Sequence, residues 1–219
     1  YSSAASDVYK RQQYNTSDVD LHQITADLAG IGRKEAKAVN LGIMYGMGKA
    51  KLADQLGIDL DDAGSLMQRH RNTVPFVKAL AEMASRRAAT AGQIRTIGGR
   101  IGRFHLWEPT TFGAGKPLPH AEALKEYAGI NGMGIRRAFT YKALNKLIQG
   151  SAADQTKKAM LDCYNEGYTP MLTVHDELCF NIDSPEQTAR IKEIMETGVK
   201  LKIPSKIDVD IKDNWGEIE

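Results

Sequence analysis

The chain has 219 residues, of which 42% are hydrophobic and 26% charged, with a formal net charge of +2. These shares are those of an ordinary globular protein and exclude a disordered or fibrous class, while the length admits one generous domain or two small ones. No apolar run is long enough to span a bilayer and the polar stretch Tyr1 to Gln13 lacks the apolar core of a secretory signal, so a cytoplasmic protein without a membrane partner is expected. Cys163 and Cys179 match neither a zinc pair nor a disulfide framework and read as small buried hydrophobes.

Asp7-Val-Tyr-Lys-Arg-Gln12 resembles the translation of a transposon adapter used in library preparation, and residues 1–12 are set apart as non-native. A helical pattern runs from Gly32 to Met47, with glycines near its end. Asp59 caps a helix to about His70, Val74-Pro75 breaks the pattern, and a further helix follows from Phe76 to Ala91. Arg95 to Arg103 places two glycines between β-prone residues and predicts a short hairpin, while Pro and Gly between Trp107 and Leu118 predict a loop. Helical spacing resumes from about Ile135 to Leu147. Ser151-Ala-Ala-Asp154 has the form of a capping box opening another helix to about Tyr164, with a bend near Gly150. Met171 to Val174 and Leu178 to Ile182 predict two strands joined by a charged tip, His175-Asp176-Glu177. Pro185 suits the first turn of a helix to about Lys200, and Lys206 to Ile211 alternates like a last strand.

Three groups of residues could carry chemistry. Arg33, Lys37, Leu41 and Tyr45 recur every fourth residue and form a slanting stripe on one helix face. Cations near a helix N-terminus can hold phosphates while the later apolar and aromatic residues meet sugar and base; by spacing alone an amphipathic helix explains the stripe as well. At His175-Asp176-Glu177, adjacent acids repel unless a cation or solvent intervenes, so a metal site and a hydrated turn are both open. Asn145 and Gln149 lie on one side of a helix, and their amides can reach minor-groove acceptors, which are similarly placed for every base pair. From Arg69 to Arg103, Arg71, Lys78, Arg86, Arg87, Arg95 and Arg100 face the single acid Glu82; this could follow a phosphate backbone, though a solvated helix face is the plainer reading.

The full string Arg33-Lys-Glu-Ala-Lys37-Ala-Val-Asn-Leu41-Gly-Ile-Met-Tyr45-Gly46 closely resembles the fingers motif of family A DNA polymerases, the bacterial polymerase I group with its phage relatives. Thr173-Val-His-Asp-Glu-Leu178 resembles the same family's palm motif, and Asn145 to Asp154 its segment between fingers and palm. Asp20-Leu-His22, Arg95 to Arg100 and Asp213-Asn-Trp215 echo it in the same order, so the resemblance covers roughly residues 18 to 219.

The resemblance implies a helix-rich α+β fold: fingers helices over residues 13–134 and the C-terminal part of an antiparallel palm over 135–219, an incomplete right hand. It implies that Arg33, Lys37, Leu41 and Tyr45 bind the incoming dNTP, with Lys37 also the general acid for the pyrophosphate leaving group. It implies that Asp176, with Glu177 beside it, is catalytic, that Asp176 binds magnesium, and that His175, Asn145 and Gln149 contact DNA. Leu41 departs from the family's Phe or Tyr, and Tyr141 from the bacterial Arg.

Nucleotidyl transfer to a primer 3'-hydroxyl uses two magnesium ions and therefore more than one aspartate. No Asp-Tyr-Ser-x-Ile-Glu segment occurs in this chain, and Asp18 and Asp20 lack its context. The expectation is a polymerase fragment that is inactive alone, whose partners are primer-template DNA, dNTPs and the upstream thumb and first palm strand of the same polymerase. The setting implied is a bacterial cytoplasm, or that of the host if the source is a phage. A non-enzymatic nucleic-acid-binding module and a single-subunit RNA polymerase fragment are the alternatives, and a metal-dependent hydrolase is a distant third.

Overall fold

The computed structural model describes residues 22–23, 26–27, 30–73, 75–111, 113–129 and 134–214. The adapter-like residues 1–12, Asp18, Asp20, Val74 and Trp215 lie outside them. By internal contacts the described residues fall into two units, one ending at Ser151 and one beginning at Ala152.

The first unit opens with α1 (Arg33–Met44), α2 (Lys49–Leu56), α3 (Leu60–Thr73) and α4 (Pro75–Ala91). α1 is built from good helix formers and stops where Gly46 takes φ +86°, a value that costs glycine nothing. α3 starts where expected: Asp59 Oδ1 accepts from the backbone N–H of Asp61 and Asp62, each at 2.8 Å. Val39, Leu52, Ala53, Ala63, Leu66 and Met67 bury a shared core among the first three helices.

The predicted hairpin forms from β1 (Gln93–Arg95) and β2 (Ile101–Arg103), antiparallel, with Gly99 at φ +86° in its turn. Ile94 and Phe104 pack with Ala84, Ala88, Ala143 and Leu144, which joins the hairpin to α4 and to the start of α6 (Ala143–Asn165).

Two expectations in this unit are corrected. The Trp107 to Leu118 segment is not only loop: β3 (Leu106–Pro109) pairs with β4 (Leu118–Pro119), followed by α5 (His120–Ala123) and a π-helical turn at Leu124–Gly129. The helix expected from Ile135 begins only at Ala143, because Ile135–Arg137 is strand β5 on the other edge of β3. Long-range pairing outweighs helical spacing there. Arg136 bonds Glu108 at 3.1 Å, and Arg137 lies 4.6 Å from the Trp107 ring centre while donating to the Phe104 carbonyl at 2.9 Å.

The bend expected near Gly150 is also absent: α6 runs unbroken from Ala143 to Asn165. Ser151 does not cap a new helix, since its Oγ accepts from the backbone N–H of Ile97 at 3.1 Å. Gly150 is where the hairpin comes closest, and an added Cβ would lie 2.6 Å from Thr96 Cγ2.

The second unit holds the end of α6, the antiparallel pair β6 (Leu172–Val174) and β7 (Glu177–Cys179), and α7 (Pro185–Thr197). α7 starts as predicted, with Pro185 at N1 and Ser184 Oγ accepting from Gln187 N–H at 3.4 Å. Cys163, Ile191 and Ile194 form its buried core, and Cys179 is half-buried; neither cysteine is in a disulfide. Lys206 to Ile211, expected as a strand, pairs with none of the described strands, and Val209 and Ile211 are exposed. The helix-rich α+β class with small antiparallel sheets is as the sequence predicts.

Candidate functional site

α1 divides its faces sharply. Ala36 and Val39 are fully buried, while Arg33, Lys37 and Leu41 are exposed and Tyr45, just past the helix, is half-buried. Arg33, Lys34 and Lys37 crowd the positive end of the helix dipole, with only Glu35 of the opposite sign in the first turn. Cations there work against the helix by a few tenths of a kcal/mol each, roughly, so helix stability does not explain them.

Beyond the helix, Tyr45 Oη accepts a hydrogen bond from Gln149 Nε2 on α6. Asn145, one turn earlier on α6, lines with Tyr45 an open groove of about 460 Å³ whose walls include Lys49, His70, Lys78 and Tyr141. The fold thus brings Tyr45, Asn145 and Gln149 together, residues 100 positions apart in sequence, and keeps Arg33 and Lys37 at the opposite end of the same helix.

Sequence reasoning did not assign Lys78 and Tyr141 to this groove. Membership in the basic stretch was the available signal for Lys78, and proximity to Asn145 for Tyr141. Others of that stretch are structural: Arg95 donates to the Gly99 carbonyl at 2.9 Å, and Arg100 to that of Gly150 at 2.7 Å.

In the second unit, Val174 pairs with Glu177 and leaves a two-residue turn, His175-Asp176. Glu177 therefore opens β7 instead of sitting at the tip. His175 has φ 55°, a left-handed conformation costing a non-glycine residue about 1–2 kcal/mol, and all three side chains are exposed. Among the described residues no three His, Cys, Asp or Glu side chains converge on a point that could hold a metal ion. The hard carboxylate oxygens of Asp176 and Glu177 suit in kind a magnesium ion that keeps several waters, and in number do not suit a pair of ions.

In the core of this unit, burial pushes the Cys163 thiol pKa up, and the neighbouring charges of Asp162 and Glu166 push it further. Such a thiol is an inert core group. No helix among the described residues is long and apolar enough to cross a membrane.

The chain resembles known proteins along nearly its whole length. The model of DNA polymerase family A matches residues 1–217, a span that includes the first twelve residues. A DNA-directed DNA polymerase of Pseudomonas phage M6 is 33% identical over 241 aligned residues, covering 94% of this chain and 32% of the relative. DNA polymerase I of Pseudomonas aeruginosa is 31% identical, covering 91% of this chain and 22% of the relative. The solved polymerase domain of Pol1 from M. smegmatis, in complex with DNA primer-template and dNTP, is similar at a TM-score of 0.67 and 25% identity, covering 89% of this chain and 34% of that one. The chain thus spans about a fifth to a third of the length of these relatives. With a family model matched over residues 1–217, and with the helix-rich α+β fold of a solved polymerase domain, the chain belongs to DNA polymerase family A.

Proposed function

We propose that this chain supplies the nucleotide grip and part of the catalytic palm of a template-directed DNA polymerase. The observation that carries the reading is α1: two cations exposed at its positive end, in line with Leu41 and Tyr45, on a helix whose other face is buried. Arg33 and Lys37 hold the triphosphate of a dNTP, and Lys37 passes a proton to the departing pyrophosphate oxygen. Leu41 packs on the sugar and Tyr45 guards the templating position.

Asn145 and Gln149 donate to minor-groove acceptors of primer-template DNA, and His175 meets the primer end. The Gln149 amide that bonds Tyr45 in the free chain is the one this role needs, so DNA binding releases Tyr45. Asp176, with Glu177 beside it, would hold magnesium; a pair of such ions would supply a lowered pKa for the attacking hydroxyl and stabilisation of the leaving oxygen. Functionally we take residues 13–134 as fingers and 135–219 as palm, a division by motif that does not follow the contact boundary at Ser151.

With one such motif, the 219-residue chain does not extend primers by itself. The test is a template-dependent extension assay on the chain alone and on a polymerase containing it. The chain should give no product. The whole polymerase should extend, and Lys37→Ala should slow its chemical step by about 10²- to 10⁴-fold. Robust extension by the chain, or an unaffected Lys37→Ala enzyme, contradicts the reading.

A further inference from the structure

The buried face of α1 carries one polar side chain, Asn40, which is 4% exposed. Its amide faces two histidines from different parts of the chain. Asn40 Oδ1 accepts from Nε2 of His70 on α3 at 2.8 Å, and Asn40 Nδ2 donates to Nδ1 of His22, ahead of α1, at 3.0 Å. His70 is 6% exposed, and its burial lowers its pKa, in keeping with a neutral ring.

The core beside this face is apolar: Val39 packs with Leu52, Ala53, Ala63, Leu66 and Met67, and Ala36 is fully buried. Apolar contact is non-directional, so such a core specifies the rotation of a helix about its axis less sharply than directional bonds do. A planar amide bonded at both its oxygen and its nitrogen supplies those bonds. The consequence falls on the adjoining exposed face, where Arg33, seven residues before Asn40, and Lys37, three before it, stand within about 60° of it around the helix. A rotation of about 20° moves a side-chain end at a radius of about 5–6 Å by about 2 Å, enough to take Lys37 or Arg33 out of hydrogen-bond range of a phosphate.

We infer that Asn40 and His70 are positioning residues of the nucleotide grip: the His70–Asn40–His22 relay sets the rotation of α1 and so aims Arg33 and Lys37 at the triphosphate. The inference rests on the reading of α1 as the dNTP-binding helix. Asn40 and His70, both buried, act through α1 and not on the nucleotide itself. Removing one partner strands a buried polar group, whereas removing both together relieves that penalty without restoring the clamp.

The experiment measures dATP binding and thermal unfolding of the 219-residue chain with Asn40→Leu, His70→Phe, His70→Gln, the double variant Asn40→Leu/His70→Phe, and Lys37→Ala as control. Gln offers an amide N–H near the place of His70 Nε2. Asn40→Leu and His70→Phe should weaken dATP binding at least about tenfold, as misplacement by about an ångström does elsewhere, while His70→Gln stays within about twofold of the starting chain. The double variant should regain most of the lost Tm and still bind weakly. Binding that recovers along with Tm in the double variant would make the relay merely structural and overturn the inference. Retained binding in Asn40→Leu beside lost binding in Lys37→Ala would overturn it while leaving the nucleotide grip standing. If Asn40→Leu does not fold, equal binding by His70→Phe and His70→Gln overturns it. No dATP binding by the starting chain, or none lost in Lys37→Ala, would remove the grip itself and the inference with it.

Discussion

The two units solve the problem of burial differently. The unit ending at Ser151 closes two apolar cores around its helices, with Val39 and Leu52 fully buried in one and Phe104 and Leu144 nearly so in the other. The unit beginning at Ala152 buries Cys163, Ile191 and Ile194, while Met171, Leu172, Val209 and Ile211 stay exposed and the β6–β7 pair has no third strand among the described residues. The residues proposed to grip the nucleotide stand on a scaffold held by its own core. The carboxylates stand on a two-stranded hairpin, which is marginal in water without further strands or packing. Rigidity and chemistry are therefore not allotted together in this chain.

Paired truncations would break or sharpen this contrast most strongly. Leu52→Ala should destabilise the first unit by about 2–5 kcal/mol, because Leu52 is fully enclosed. Leu172→Ala, at a residue 44% exposed, should cost less than about 1 kcal/mol by the same chemical denaturation. Equal losses would erase the distinction.

Gly150→Ala comes next. A helical Gly→Ala change ordinarily gains about 0.5–1 kcal/mol, but here the new Cβ meets the stiff, buried Thr96 methyl at 2.6 Å. A net loss of about 1–3 kcal/mol is expected, and a rise in Tm would contradict the close approach of hairpin and helix.

The smallest effect is one of pH. Burial lowers the His70 pKa, so between that value and about 6.5 the unfolded chain binds more protons than the folded one. The stability this histidine contributes is whole above about pH 6.5 and is lost as pH falls. The Tm of the starting chain should drop more between pH 7.5 and 5.5 than that of His70→Gln, and parallel curves would contradict the assignment.

What was legible in the sequence was local. Asp59, the paired glycines 98 and 99, and Pro185 act within a few residues of themselves, and each sits where its chemistry predicts. What was not legible depends on partners distant in sequence. Ile135–Arg137 carries helical spacing and becomes a strand because Trp107 to Pro109 lies beside it. Ser151 looks like a cap, but Ile97, 54 residues away, takes its hydroxyl. Lys206 to Ile211 alternates like a strand and finds none to pair with among those described.

The site divides in the same way. The slanting stripe on α1 follows from helical geometry, and its exposed face could be read from spacing. The meeting of Tyr45 with Gln149 across 104 residues could not. Asn40 did leave a signal, an amide one step after Val39 on the face that Ala36 marks as buried, but only the fold reveals its two histidines.

The account stands most directly on Asp176. In a polymerase containing this sequence, single-turnover primer extension by Asp176→Ala should fall to background while dATP still binds, because the proposed nucleotide grip lies in the other unit. Extension at an undiminished rate would show that this hairpin holds no catalytic carboxylate, and the proposed division between grip and chemistry would fall.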